Sequence, residues 1–498
     1  MSSMSKVRQV HAVPLLLTLF TLVEAAAQSD TSRFQRRLEQ IQRQTHLLIN
    51  EDVPADQRAL FEVGGLLNFS FFAIDDSGQS THVLRQSELI GHALASFDGV
   101  HEFFLRGRTA YRDWNEGESF DGHGDDLLEP TLDRGTYRFD LQRAIGVSEG
   151  RLTENNLTIQ GGRQLVHWVN GLTLSREIDG GIVTFSHQNV LELQMLAGLT
   201  RRSTADIDSS RPDFDGDTRR GFYGALLSVQ AADQHRPFVY GLVQQDRNSD
   251  RTRVELILDP DGIPGNADDV NTRTRHAYDS HYVGFGSTGN LGDRIAYAAE
   301  FVYQGGEGLS ASFDRNIGIP IAQTDERIEA YAMDLKIDYL FQDPNRTRAV
   351  GEVLLASGDD DRLHTTNTVG GNRRGSTDRA FNAFGLVNTG LAFAPPSSNL
   401  LMFRGGLATF PLPASTWFDR LQLGATFYSF FKLDREAPID QATSKDAYLG
   451  FEVDLFANWQ IASDVTLSLQ YGVFLPGHAI AADHDARHFL VTSVTYSF

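Results

Sequence analysis

The chain ends in Leu490-Val491-Thr492-Ser493-Val494-Thr495-Tyr496-Ser497-Phe498, an alternating strand whose last residue is an aromatic. Side chains two apart in a strand point the same way, so Leu490, Thr492, Val494, Tyr496 and Phe498 share one face. Ser493, Thr495 and Ser497 share the other. An apolar stripe that runs to the final carboxylate fits a sheet that must close on its own last strand. In an outer-membrane barrel, that strand seals the wall and its terminal aromatic lies in the interfacial girdle. The final strand of a soluble β-sandwich is the alternative that this feature alone leaves open.

The other end of the chain narrows the choice. Lys6 and Arg8 precede an apolar stretch from Val13 to Val23, and Ala25 and Ala27 supply the small residues of a cleavage site. Residues 1–27 therefore read as a secretory signal peptide. Beyond it no run approaches the roughly 18 apolar residues of a membrane helix. The exported chain is therefore soluble and periplasmic, secreted to the surface, or a closed barrel, since lipid offers no partner for free backbone groups. The chain has no cysteine, and a mean hydropathy of −0.28 is compatible with a barrel whose lumen and loops are polar.

The net formal charge is −21, yet only Lys6, Lys336, Lys432 and Lys445 among the 44 cations are lysine, leaving 40 arginines. Arginine is always charged and presents a planar fork that matches carboxylate or phosphate. A GC-rich genome accounts for the larger part of that bias, and the placement of the arginines decides whether anything more is meant. No nucleic-acid partner is expected.

Residues 28–58 form an amphipathic segment. Phe34, Leu38, Ile41, Thr45 and Leu48 recur at helical spacing among Arg33, Arg36, Arg37, Glu39 and Arg43, which predicts a short N-terminal helix. It could sit on a barrel rim, plug the pore or join subunits.

From residue 59 to 498 the texture is strands of about ten residues divided by Gly/Asp/Asn-rich turns. Phe103, Leu105, Thr109 and Tyr111 oppose Glu102, Arg106, Arg108 and Arg112. Tyr137, Phe139 and Leu141 oppose Arg134, Arg138, Asp140 and Gln142. Ile295 to Tyr303, Tyr331 to Tyr339, Leu421 to Phe427 and Leu449 to Trp459 alternate in the same way, with Arg294 and Arg420 assigned to the polar faces of the first and third. Tyrosines and tryptophans near strand ends suit interfacial girdles. The fold class expected is all-β, a transmembrane antiparallel barrel of about 18 strands, within a range of 16 to 20, preceded by the short helix. Acidic, glycine-rich segments such as Ser203 to Arg220, Asp259 to Thr272 and Ser357 to Arg379 read as its long external loops.

One loop has metal-like chemistry. Asp259, Asp261, Asp268 and Asp269 lie on a Gly/Pro-turned stretch that could wrap calcium through oxygen ligands, although Ile263 and the missing distal Glu exclude an EF-hand. The histidine groups around His123 and around His478, His484 and His488 lack the spacing of a hydrolytic zinc site. There is no Gly-x-Ser-x-Gly elbow, phosphate-binding loop or Rossmann fingerprint, so no enzyme is expected. A barrel-embedded surface hydrolase, with catalytic residues from separate strands, and a secreted calcium-binding adhesion protein are the alternatives.

Several segments together resemble the alginate export family of outer-membrane barrels: Gly161-Gly162-Arg163-Gln164, Asn170-Gly171-Leu172, Asp179-Gly180, Ala356-Ser357-Gly358-Asp359 and Gly472-Val473-Phe474-Leu475-Pro476-Gly477. The resemblance implies an 18-stranded barrel in the outer membrane of a Gram-negative bacterium, passing an anionic, alginate-like polysaccharide or related anion by passive diffusion through an arginine-lined constriction. Arg106, Arg108, Arg112, Arg134, Arg138, Arg163, Arg294 and Arg420 are the pore-lining candidates it implies. The expected partners are outer-membrane lipid, the anionic polysaccharide and, through the C-terminal strand, the outer-membrane assembly machinery. Carboxylates on the same inner faces, Glu102, Asp140 and Glu300, would offset the arginines.

Overall fold

The computed structural model describes residues 59–120, 122, 124–151, 153–188, 190–200, 219–247, 253–258, 270–274, 277–310, 312–313, 323–362, 372–481 and 484–498. The expected signal peptide, the N-terminal helix and the Asp259, Asp261, Asp268 and Asp269 loop all lie outside the described residues.

Eighteen strands form one closed antiparallel barrel. In chain order they are β1 Ala59–Asp75, β2 Thr81–Phe97, β3 His101–Trp114, β4 Asp126–Asp140, β5 Asn155–His167, β6 Ser175–His187, β7 Leu191–Thr200, β8 Arg220–Val229 and β9 His235–Asp246. They continue as β10 Tyr278–Leu291, β11 Ile295–Ser310, β12 Thr324–Leu340, β13 Arg348–Ala356, β14 Leu400–Thr409, β15 Leu421–Phe431, β16 Tyr448–Gln460, β17 Val465–Pro476 and β18 Arg487–Ser497. Each strand pairs with its sequence neighbours, and β18 closes on β1 from Leu66↔Ser497 to Ile74↔Phe489. The last residue completes the seal. Phe498 N–H donates to Gly65 O and Gly65 N–H donates to Phe498 O, both at 2.9 Å. A Cβ on Gly65 would stand 2.7 Å from the Phe498 ring, so only glycine fits beside that terminal aromatic.

The alternation read from sequence is the wall. Phe103, Leu105, Tyr111, Val494, Tyr496 and Phe498 are exposed on the outer face, while Arg106, Phe489 and Val491 are buried on the inner one. Turns after even-numbered strands are mostly short, and both described chain ends lie with them; in this class of barrel that end faces the periplasm. One such connection departs from the strand expectation. β4 stops at Asp140, whose side chain accepts the Arg143 N–H as N-cap, and α1 follows over Leu141–Glu149. Leu141 and Gln142 are therefore helical rather than strand residues.

The long connections at the other end do not all extend outward. Segments 168–174 and 372–399 fold into the barrel and zip to each other. Ser175 N–H donates to Phe384 O at 2.9 Å, Phe384 N–H to Thr173 O at 3.0 Å, and Leu386 N–H to Gly171 O at 2.8 Å. A Cβ on Gly385 would meet Gly171 O at 2.1 Å, so glycine is required where the two backbones touch. Phe381, Phe384, Phe393, Trp168 and Leu174 bury their side chains inside the barrel against Phe222, Tyr240, Tyr282, Phe430 and Phe474 from the wall. The outer part of the lumen thus holds an apolar core, in place of the wholly external loop expected after Ser357. Below it the inner wall stays polar and partly exposed, with Asn68, Gln160, Gln194, Asn458 and Gln470.

Candidate pore and its lining

Charge is spread unevenly round the inner wall. Strands β3 and β4 carry Arg106, Arg108, Arg112, Arg134 and Arg138, with Glu88, Asp133 and Asp140 beside them. The boundary between β12 and β13 lies nine strands further round, half the circumference of an 18-strand barrel. Carboxylates gather about that boundary: Glu300 on β11, Asp334 on β12, Glu352 on β13, and Glu452 and Asp454 on β16, all buried.

On the arginine side, Arg106 is 7% exposed. Its Nε donates to Asp133 at 2.6 Å, and Nη2 contacts the same carboxylate. Arg108 pairs with Glu88 at 2.8 Å. Arg138 keeps much of its side chain open to the lumen, with Asp140 at 4.0 Å. Arg112 and Arg134 share this inner wall and are partly buried, and Arg134 stands opposite Arg106 in the ladder.

Three of the expected lining residues lie elsewhere. Arg163 alternates with Gln164 and Val166, which point inward, so it faces out of the barrel. There Nε and Nη2 grip Asp179 at 2.7 and 2.8 Å. Arg294 lies in the turn before β11, exposed, with Nε donating to Gln342 at 3.2 Å. Arg420 is exposed in the turn before β15. The last two each stand one residue outside a strand, where alternation no longer fixes direction.

The inner wall also holds charged residues that alternation did not single out. Arg404 on β14 is bound to Glu352 and lies over the Tyr428 ring. Arg220, at the start of β8, meets Asp246 at 3.2 Å and the Phe384 ring at 5.4 Å, and Arg487 binds Gln441 at 2.9 Å. Arg404 is followed by Gly405 and Gly406 in an otherwise apolar strand, and the other two are first residues of strands, so period two gave no signal for any of them.

The in-folded segments rest on the acidic side. Asn170 N–H donates to Glu300 at 3.2 Å and its Nδ2 to Asp334 at 2.8 Å, while Tyr240 O–H donates to Glu300 at 2.6 Å. Glu452, fully buried, accepts three consecutive backbone N–H groups: Leu391 at 2.6 Å, Ala392 at 2.7 Å and Phe393 at 2.8 Å. The Phe393 ring stacks on Phe474 at 4.2 Å, beside that grip. A buried carboxylate is costly unless it is hydrogen-bonded, and these donors offset part of that cost. At the base of the segment Arg362 joins Asp378, with Asp359 at 3.9 Å. Burial pushes the Asp359 carboxyl up, against the N–H of Asp361 and the Arg362 charge.

Among the described residues one group has metal-like spacing, Asp359, Asp360 and Asp361. Asp359 already accepts the Asp361 N–H at 2.9 Å and faces Arg362, so the cluster is used within the loop. His478 and His484 lie edge to face, whereas His488 binds Tyr471 at 2.7 Å; they do not converge.

The barrel matches solved outer-membrane porins in shape. OccAB1 of Acinetobacter baumannii superposes with a TM-score of 0.51 at 11% identity, covering 88% of this chain and 96% of that one. OccK5 (OpdH) of Pseudomonas aeruginosa gives 0.50 at 9% identity, over 88% and 98%. Identities this low speak for the fold alone. No curated protein matches the chain in sequence. The family model for alginate export matches residues 189–492, from β7 into the closing strand. With that match over more than half its length, and with the closed barrel, this outer-membrane chain belongs to the alginate export family.

Proposed function

We propose that the protein is a passive channel for an anionic polysaccharide of the alginate type, or a related anion, in a Gram-negative outer membrane. Solute would run along the arginine side of the lumen. One observation carries this reading: the chain's own loops cover the acidic side. Segment 168–174 caps Glu300 and Asp334, and residues 391–393 cap Glu452, whereas Arg108, Arg134 and Arg138 keep partial exposure. A water-filled path beside guanidinium groups attracts carboxylates, and hydration keeps each contact weak enough to release. Pairing with Glu88, Asp133 and Asp140 tempers that attraction without removing the donors. The C-terminal strand would also serve as the handle for the assembly machinery, and the Asp259–Asp269 loop as a calcium ligand set on the outside.

The test is block of ion current by polyuronate oligomers in planar bilayers. Substituting Arg108, Arg134 and Arg138 together by Gln should raise the half-blocking concentration by about tenfold or more, the equivalent of one lost charge-assisted contact. Equal block of the wild type and the triple variant would remove the arginine path from the account.

A further inference from the structure

Among the described residues, one pairing of the wall stops while both strands continue. β4 and β5 pair from Asp140↔Thr158 only to Gly135↔Arg163. Above that point β4 continues to Asp126 paired to β3, and β5 continues to His167 paired to β6, yet 126–134 and 164–167 form no ladder with each other. Pro130, which has no N–H, lies in this stretch of β4, as suits a strand edge. Two register shifts between β3 and β4 bend it further. The break lies at bilayer level, because Leu105, Leu127, Leu132 and Leu199 are exposed on the outer face around it. Lipid-exposed backbone without partners costs several kcal/mol per group, so a break at this height asks for a reason.

Side chains bridge the break. Arg163 Nη1 donates to Leu132 O at 2.7 Å while its other nitrogens hold Asp179. Asp133 of β4, next to Leu132, holds Arg106 on the lumen side. Ion pairs therefore flank the break on both faces, Arg106 with Asp133 inside and Arg163 with Asp179 outside. Side-chain bridges can exchange partners without unzipping a sheet, whereas a backbone ladder cannot.

We propose that this seam is a lateral passage between lumen and outer leaflet for single-chain amphiphiles with a carboxylate or phosphate head. An anionic head can replace Asp133 or Asp179 on Arg106 or Arg163 like for like, so the arginines stay paired throughout. The leucines outside accept the apolar tail. A solute leaving by this route also bypasses the apolar core that the in-folded segments place in the outer lumen.

The test uses dodecanoate, with butyrate as the tail-free control, on ion current through the purified full chain in planar bilayers. Since the chain has no cysteine, Leu132→Cys with Leu165→Cys carries the only thiols, and a short bismaleimide can tie the seam shut. Dodecanoate should depress the current of the untied protein at concentrations where butyrate does nothing. Tying the same sample should abolish that effect, which separates closure from any folding defect. Arg163→Gln should raise the half-effective dodecanoate concentration about tenfold, as expected for one lost charge-assisted contact. Equal effects before and after tying, equal effects of butyrate and dodecanoate, or no effect on untied protein would each overturn the lateral passage while the axial channel stands. Absence of current in every form would overturn the channel and the passage together.

Discussion

Glu452→Gln isolates the grip on the in-folded segment. In the wild type, Oε1 takes the Leu391 and Ala392 N–H groups and Oε2 takes that of Phe393. A glutamine in its better orientation keeps a neutral oxygen for the first two and turns an amide nitrogen toward the Phe393 N–H. One charge-assisted bond, worth about 1.5–3 kcal/mol, is lost, and the remaining two weaken to about 1 kcal/mol each. Removing a buried charge offsets part of this loss. A net cost of about 3 kcal/mol corresponds to roughly 10²-fold more frequent opening of the segment. Hydrogen exchange of a peptide covering 385–396 reads that opening directly, because exchange there reports local rather than global unfolding. The peptide should exchange roughly 10²-fold faster in the variant, while peptides from β1 and β18 stay unchanged. Acceleration of less than about threefold would show that the apolar packing of Phe393 holds the segment without Glu452.

Two further outcomes follow from the closure and from one turn. Phe498→Asp, or Gly65→Leu, should leave the chain unassembled, because both remove the terminal aromatic from its place against β1; heat-modifiable migration on gels should then disappear. In the β1–β2 turn, burial raises the Asp76 carboxyl, but its bond to His82 at 3.0 Å and those from Ser80 and Gly78 at 2.8 Å outweigh it and hold the group below the usual aspartate range. A depressed folded value means stability that is present above the unfolded value and lost as pH falls through the folded one. Proteolytic nicking of residues 76–80 should therefore rise below about pH 4 in the wild type, and Asp76→Asn should be nicked at neutral pH with no such acid step.

The barrel was legible because period-two alternation over long strands has few other causes, and Phe498 marks where the sheet must close. Alternation placed Arg106, Arg108, Arg112, Arg134 and Arg138 on the inner wall because these residues lie inside β3 and β4. It misdirected Arg294 and Arg420 because each sits one residue beyond a strand; Arg163 was a candidate through the resemblance at Gly161-Gly162-Arg163-Gln164, and alternation left its direction open. Leu141 and Gln142 left the strand pattern once Asp140 could cap a helix. The in-folding of 372–399 carried a signal that composition obscured. Gly358 and Asp359 to Asp361 open the connection and Arg373, Arg374 and Arg379 follow, but Phe381, Phe384, Leu391 and Phe393 are too apolar for a segment that remains in water. Where the buried carboxylates stand relative to the β3 and β4 arginines was not legible, since it depends on which strands stand half a turn apart once the sheet has closed.

Reversal potential in a salt gradient across a planar bilayer tests the central claim most directly. The net charge of −21 alone would favour cations. A lumen whose acidic side is covered by its own loops, and whose open side carries Arg108, Arg134 and Arg138, should favour anions. A reversal potential displaced toward the chloride equilibrium value is the predicted result. Displacement toward the potassium value would contradict an arginine-lined path.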